Sequence, residues 1–279
     1  MKQHPLAEVF GFPIDNMGRT AQDHRKNRLC PFGNVVPRCT KDKADDPLGV
    51  CSIYDGGRTA ITCPIRFNED GLITNDAASF FFGPGTRWET LTEVRLKDRY
   101  GKSAGNIDIV VVAYDERGRV TDFGAIEKQG VYISGNVRNP FSHYMEDPIH
   151  RKDMDWRGQP GYPGPDYLSS SRKRLAPQLI FKGGILRAWN KKIAVVLDKG
   201  FFGTLPKLDE VDQSEADVAW LVYDLEPDAD QGRLRLRRQE SVFTKFEEAL
   251  SRITVSEVGD VDDFVSHLQA KIDRKLADE

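Results

Sequence analysis

Two apolar runs joined by a short charged turn constrain this chain more than any other part of its sequence. Asn106-Ile107-Asp108-Ile109-Val110-Val111-Val112-Ala113-Tyr114 and Phe123-Gly124-Ala125-Ile126-Glu127-Lys128-Gln129-Gly130 read as strands, and Asp115-Glu116-Arg117-Gly118-Arg119 reads as the turn between them. A hairpin centred between Arg117 and Gly118 sets Asp108 opposite Glu127. Strand side chains alternate faces, so Glu127 and Gln129 share one side while Ile126 and Lys128 share the other. Directly opposed residues have Cβ atoms roughly 5 Å apart, and two like charges held there repel unless a cation lies between them. The pair reads as a divalent metal site, set against the plainer reading of two surface charges on an ordinary hairpin.

The length of 279 residues suits one large domain or a domain with a smaller lobe, and 39% hydrophobic residues suffice for a core. No apolar run approaches the roughly 20 residues needed to span a bilayer. The start, Met1-Lys2-Gln3-His4-Pro5, has no signal-like apolar region, so a cytoplasmic protein without a membrane partner is expected. A net charge of −3 excludes a general coat of positive charge. It leaves nucleic acid open as a partner, because such binding depends on local basic surface.

Residues 1–29 read as polar surface, with an apolar patch at Val9-Phe10-Gly11-Phe12-Pro13 and a basic run of Arg19, His24, Arg25, Lys26 and Arg28. All four cysteines follow in one block, as Cys30, Cys39, Cys51 and Cys63. In a reducing compartment this clustering favours a tetrahedral thiolate metal site over disulfides or buried free thiols, although the spacing lacks paired Cys-x-x-Cys knuckles. Zinc is the metal such a site suggests unaided. The block is rich in Pro, Gly and Asp and poor in apolar periodicity, so a metal staple would help it fold.

Further along, Asn75 to Phe82 reads as a short helix stopped by Gly83-Pro84-Gly85, and Thr90 to Lys97 as a strand with Thr92, Val94 and Leu96 against Leu91, Glu93 and Arg95. Residues 135–166 carry five prolines and no sustained periodicity, which predicts a long loop. Basic and aromatic groups interleave there, including Arg138, Arg151, Lys152, Trp156 and Arg157, as in loops that grip nucleic acid, against the reading of a solvated loop. Tyr167 to Trp189 has helical spacing and carries Arg172, Lys173 and Arg174, with Pro177 and Gly183-Gly184 expected to bend or interrupt it. Lys192 to Asp198 and Ala219 to Glu226 read as strands, Arg233 to Arg237 as an edge strand with one basic face, and Phe243 to Ile253 and Val261 to Leu276 as helices.

The order of helix, three mostly antiparallel strands, helix and further strand, with Asp on the second strand and Glu-x-Gln on the third, resembles the PD-(D/E)XK nuclease superfamily in the form where Gln replaces the final Lys. More closely, the chain resembles the NotI-type restriction endonucleases. The likeness rests on Cys30-Pro31-Phe32, Gly49-Val50-Cys51, Cys63-Pro64-x-Arg66, Glu127-x-Gln129, and Ala219-Trp220 leading to Leu225-Glu226-Pro227-Asp228, in the same order over most of the chain.

The resemblance implies an α/β (α+β) fold with a central mixed sheet flanked by helices, an N-terminal four-cysteine metal-binding subdomain over residues 1–70 and a nuclease core over 71–279. It implies a type II enzyme cutting double-stranded DNA with Mg²⁺ to leave 5′-phosphate and 3′-hydroxyl ends. Asp108 and Glu127 would bind the metal, together with a backbone carbonyl near Lys128. Gln129 would take the third motif position, and the four cysteines would hold a structural iron where spacing alone suggested zinc. A homodimer and a cognate DNA methyltransferase of the same system are the partners it implies. Arg138, Arg151, Lys152, Arg157, Arg172, Lys173 and Arg174 are the DNA-contact candidates, ranked on basic and aromatic content. Two other readings remain: a metal-scaffolded DNA-binding protein with a non-cleaving core, and a metal-dependent nuclease of repair or RNA metabolism.

Overall fold

The computed structural model describes residues 4–33, 36–43, 45–228, 231–255 and 258–277; the first three residues of the polar N-terminal stretch lie outside these. The N-terminal stretch is more structured than its composition suggests. Strands β1 (Leu6–Val9) and β2 (Phe12–Pro13) pair, helix α1 (Arg19–Asn27) follows, and β3 (Val50–Asp55) and β4 (Arg58–Ile61) complete a four-stranded sheet of order β2-β1-β3-β4. The apolar patch Val9–Phe12 is buried rather than on the surface, because it supplies the inner face of this sheet. Cys51 lies on β3, and Cys63 follows β4 directly.

A tight helical segment (Pro64–Gly71) and helix α2 (Leu72–Phe81) lead into the main sheet. Its strands are β5 (Trp88–Lys97), β6 (Ser103–Tyr114) and β7 (Val120–Gln129), then β10 (Ile193–Asp198), β11 (Val218–Asp228) and β12 (Arg233–Thr244), in the order β12-β11-β10-β7-β6-β5. The pairings of β7 with β10 and of β10 with β11 are parallel, and the rest are antiparallel, so the sheet is mixed. The central strands are apolar on both faces, as a sheet covered on both sides requires. Val110, Ala125, Val195 and Trp220 face one hydrophobic cluster, which extends to Leu6, Val50 and Ile53 of the N-terminal sheet. Ile109, Val111, Ile126, Val196 and Leu221 face a second, formed with Phe67, Ile73 and Phe81. Gly124 is required at its place in β7, since a Cβ there would lie 2.4 Å from the Phe81 ring.

Residues 135–166 are not one long loop. A small ribbon of β8 (Tyr132–Ser134) and β9 (Gly164–Asp166) closes the segment, and it holds helices α3 (Arg138–Glu146) and α4 (Pro148–Arg151). Pro140 and Pro148 sit in first helical turns, where no intrahelical N–H is needed. The Asn136 side chain accepts from the N–H groups of Arg138 and Asn139, starting α3.

The stretch 167–188 stays helical throughout, but with π-helical turns at Ser171–Leu175 and Leu179–Gly183 on either side of Pro177. A proline inside a helix removes one donor and crowds the preceding turn, and widening the turns accommodates it. Gly183 does not break this helix; it lets the Phe246 ring approach to where a Cβ would lie 2.5 Å away. The last two helices span Phe246–Thr254 and Val261–Ala277, and Phe243, expected in the first of them, belongs to β12.

Candidate active site

Along the strands the expected register holds, Val111 pairing with Gly124, Val110 with Ala125 and Ile109 with Ile126, but a bulge between Ala113 and Tyr114 separates it from the turn, which closes around Arg117 by the Asp115 N–H donating to the Arg119 carbonyl. The ladder stops at Ile109 and Ile126, one residue short of Asp108 and Glu127. Beyond it the strands part, and the Asp108 carboxylate fills the gap by accepting from the Lys128 N–H at 2.8 Å. Strand β7 meanwhile continues on its other side, pairing with β10 as far as Gln129. The third motif strand is thus fixed by its neighbour while one edge is left open as a cleft.

Alternation along β7 then sorts the side chains. Glu127 and Gln129 meet the bulged helix, Glu127 through Lys182 and Gln129 through Gln178. Lys128 instead donates to Asn68 of the segment Pro64–Gly71, at 2.9 Å. Glu127 is buried, with Oε2 accepting from Lys182 Nζ and Oε1 buried without any hydrogen-bond partner. Lys182, also buried, donates a second bond to the Asn106 carbonyl at 2.8 Å.

A third carboxylate joins the pair. Glu93 lies on β5 between the pairs Thr92–Ile109 and Val94–Ile107, which places it across from Asp108, and its φ of 54° breaks the strand's alternation. Glu93, Asp108, Lys128, Gln129, Arg174 and Gln178 line a cavity of about 290 Å³. Burial raises the Asp108 carboxyl, against the Lys128 N–H that lowers it. Burial also raises Glu127 strongly, the Asp108 charge adds to this, and Lys182 works against both. The Lys128 ammonium is pulled below its ordinary range by burial.

Cys30, Cys39 and Cys63 form part of the same cavity wall. With Cys51 they also line a second void of about 10 Å³, the size of one small sphere, closed by Phe10, Phe32 and Leu48. None of the four is in a disulfide; burial raises Cys39 and Cys51, and the neighbouring Cys63 raises both further. Among the described residues, no three His, Cys, Asp or Glu side chains are drawn together tightly enough to ligate one ion.

A family model described as Restriction endonuclease NotI matches residues 8–236. The chain belongs to the NotI restriction endonuclease family. That match takes in the cysteine block, the carboxylate cleft and the bulged helix. Membership in the NotI family marks the chain as a site-specific deoxyribonuclease, with DNA as its substrate and a restriction-modification context. No curated protein matches the chain. Among the described residues, no helix is long and apolar enough to cross a membrane.

The basic candidates differ in what holds them. Arg138 is paired with Asp42 and Asp46, Arg151 with Glu146, and Arg157 with Asp155, while Lys152 is half-buried. Arg172, Lys173 and Arg174 are exposed on the bulged helix, Arg174 lying over the Tyr132 ring at 4.2 Å. On β12, Arg235 is bound by Glu69, Asp70 and Asp228, and Arg233 covers Phe12. Sequence reasoning missed Glu93, Gln178 and Lys182. No local pattern marks the last two, whose partners on β7 lie 49 and 55 positions away.

Proposed function

We propose that this chain is a type II restriction endonuclease of the PD-(D/E)XK kind, hydrolysing double-stranded DNA with Mg²⁺ at Asp108, Glu127 and Gln129 to give 5′-phosphate and 3′-hydroxyl ends. The observation that carries this reading is the buried, unpartnered Oε1 of Glu127 beside Asp108, which itself lines the cleft left open where two strands part. Carboxylate and carbonyl oxygens are the donors that suit Mg²⁺, so Asp108 and Glu127, with a backbone carbonyl near Lys128, would hold it. When bound, the metal supplies Lewis-acid activation of water and neutralises charge on the scissile phosphate.

The chain's own groups have separable tasks. Lys182, itself held by the Asn106 carbonyl, fixes Oε2 of Glu127, which leaves Oε1 as the free oxygen. Gln129 cannot act as a base; its amide, steadied by Gln178, positions water or a phosphate oxygen. The cysteine block over 1–70 would hold iron or zinc once its four thiols, which line one small void, close around the ion, against a nuclease unit over 71–279. Arg172, Lys173 and Arg174 are the best placed of the candidates to meet phosphate, because they are exposed on the helix that borders the cleft. A palindromic site would be cut by a homodimer, one active site per strand.

Incubation of the purified chain with unmethylated phage DNA should give discrete fragments with Mg²⁺ and none with EDTA. Glu127→Ala should abolish cutting while site-specific binding persists. Discrete cutting by Glu127→Ala would remove the assigned site, and DNA binding without cutting by the parent chain would favour a non-cleaving binding protein.

A further inference from the structure

The hairpin tip joining β5 to β6 carries a second cluster of exposed cations, apart from the one on the bulged helix. Arg95, Lys97, Arg99 and Lys102 lie within eight residues of one another, and all are exposed. None has a carboxylate partner among the described residues: Arg95 donates to the Ser103 hydroxyl, and Arg99 lies over the Tyr100 ring at 4.8 Å. The acid within the tip, Asp98, is consumed by the turn itself, its Oδ1 accepting from the N–H groups of Tyr100 and Lys102 at 2.8 Å each. Tyr100 stands at the end with 71% of its surface exposed. A protein that leaves four cations unpaired, while tying Arg138, Arg151, Arg157 and Arg235 to carboxylates, holds an anion site in reserve there.

The placement indicates which anion. The tip extends from the strands that bear Glu93 and Asp108, so it projects from the mouth of the cleft. At about 3.3 Å per strand residue, Lys97 lies roughly 13 Å beyond Glu93, with the turn at Asp98–Lys102 just past it. That corresponds to about four or more base-pair steps along a duplex. A two-stranded ribbon also fits the major groove.

We propose that the 95–103 hairpin is a DNA-binding ribbon that seats against duplex phosphates several base pairs from the scissile bond, with Tyr100 leading into the groove. This rests on the reading of the chain as a DNA endonuclease, and it adds a binding region outside the 135–166 segment and the bulged helix. Because the tip is exposed and its cations pack against no core, their removal tests binding without touching the fold.

The test uses the full chain with Ca²⁺ in place of Mg²⁺ and a fluorescently labelled random-sequence duplex, with affinity measured across a salt series. The triple variant Lys97→Ala, Arg99→Ala, Lys102→Ala should bind at least about tenfold more weakly at low salt. Its dependence of log affinity on log salt should flatten by about two to three, near one for each phosphate no longer neutralised. Arg119→Ala, in the opposite turn and paired with Asp115, should change neither quantity. A triple variant with parental affinity and parental salt slope would overturn the proposal. A parent chain that fails to bind duplex at all would instead overturn the endonuclease reading.

Discussion

Two buried charge clusters flank the same stretch of chain and are built on opposite rules. In the first, Arg66 is fully buried, its guanidinium bound to Glu8 and Glu69 and to the Leu234 carbonyl. Each carboxylate is bonded again, Glu8 by the Ser52 hydroxyl and Glu69 by the Leu236 N–H and Arg235. Burial works against the Arg66 charge, yet Glu8 and Glu69 raise it above its ordinary range. In the second, Glu127 keeps one buried oxygen unpartnered and its proton is held too tightly, with Asp108 raised beside it. A satisfied cluster fastens the N-terminal sheet to β12. The other leaves a buried oxygen unsatisfied, which active sites do more often than scaffolds.

The contrast can be broken most forcefully at Arg66. Arg66→Met leaves the buried Glu8 with no countercharge and Glu69 with Arg235 alone, and denaturant unfolding should show a loss of about 3–5 kcal/mol. A smaller loss is expected from Lys182→Met, because Glu127 can take up a proton once its partner is gone. The same unfolding assay should register about 1–3 kcal/mol for it, and cleavage should fall by about tenfold or more as Glu127 loses its fixed orientation. A loss from Lys182→Met as large as that from Arg66→Met would erase the distinction between the clusters.

The smallest effect is the most diagnostic. Glu127 is raised from 4.5 to about 8 in the folded chain, so between these values the native state binds more protons than the unfolded one. Its contribution to stability is therefore present below about pH 4.5 and is lost as pH rises through about 8. In EDTA the parent chain should lose stability across that window. Glu127→Gln, which is neutral throughout, should flatten the dependence and be no less stable than the parent at pH 8. Thermal melts over a pH series measure both.

What the sequence disclosed followed from local rules. The short charged turn between two apolar runs gave the β6–β7 pairing, with the bulge between Ala113 and Tyr114 unforeseen, and alternation separated Gln129 from Lys128. Glu93 was illegible because its positive φ violates the alternation that assigned it to the Leu91–Arg95 face. Lys182 was hidden for another reason: its partner lies 55 positions away, and helix docking leaves no periodic trace of that meeting. Helix α3 was concealed by prolines that read as loop formers but occupy first turns. Arg66, quoted only as part of a short motif, proves to be the centre of the best satisfied cluster described in the chain.

The seam between the cysteine block and β7 carries a consequence for anyone building chimeras in this family. The Val131 N–H donates to the Ile61 carbonyl at 2.8 Å, and a Cβ on Gly130 would come within 3.0 Å of the Thr62 carbonyl and Pro64. Two residues past Gln129, the backbone is thus stitched to the segment that ends in Cys63. A swap of the cysteine block between relatives would have to transplant Gly130 and Val131 with it. A recombinant that ignored the seam would inherit a sound scaffold whose Glu127–Gln129 strand is set at the wrong height.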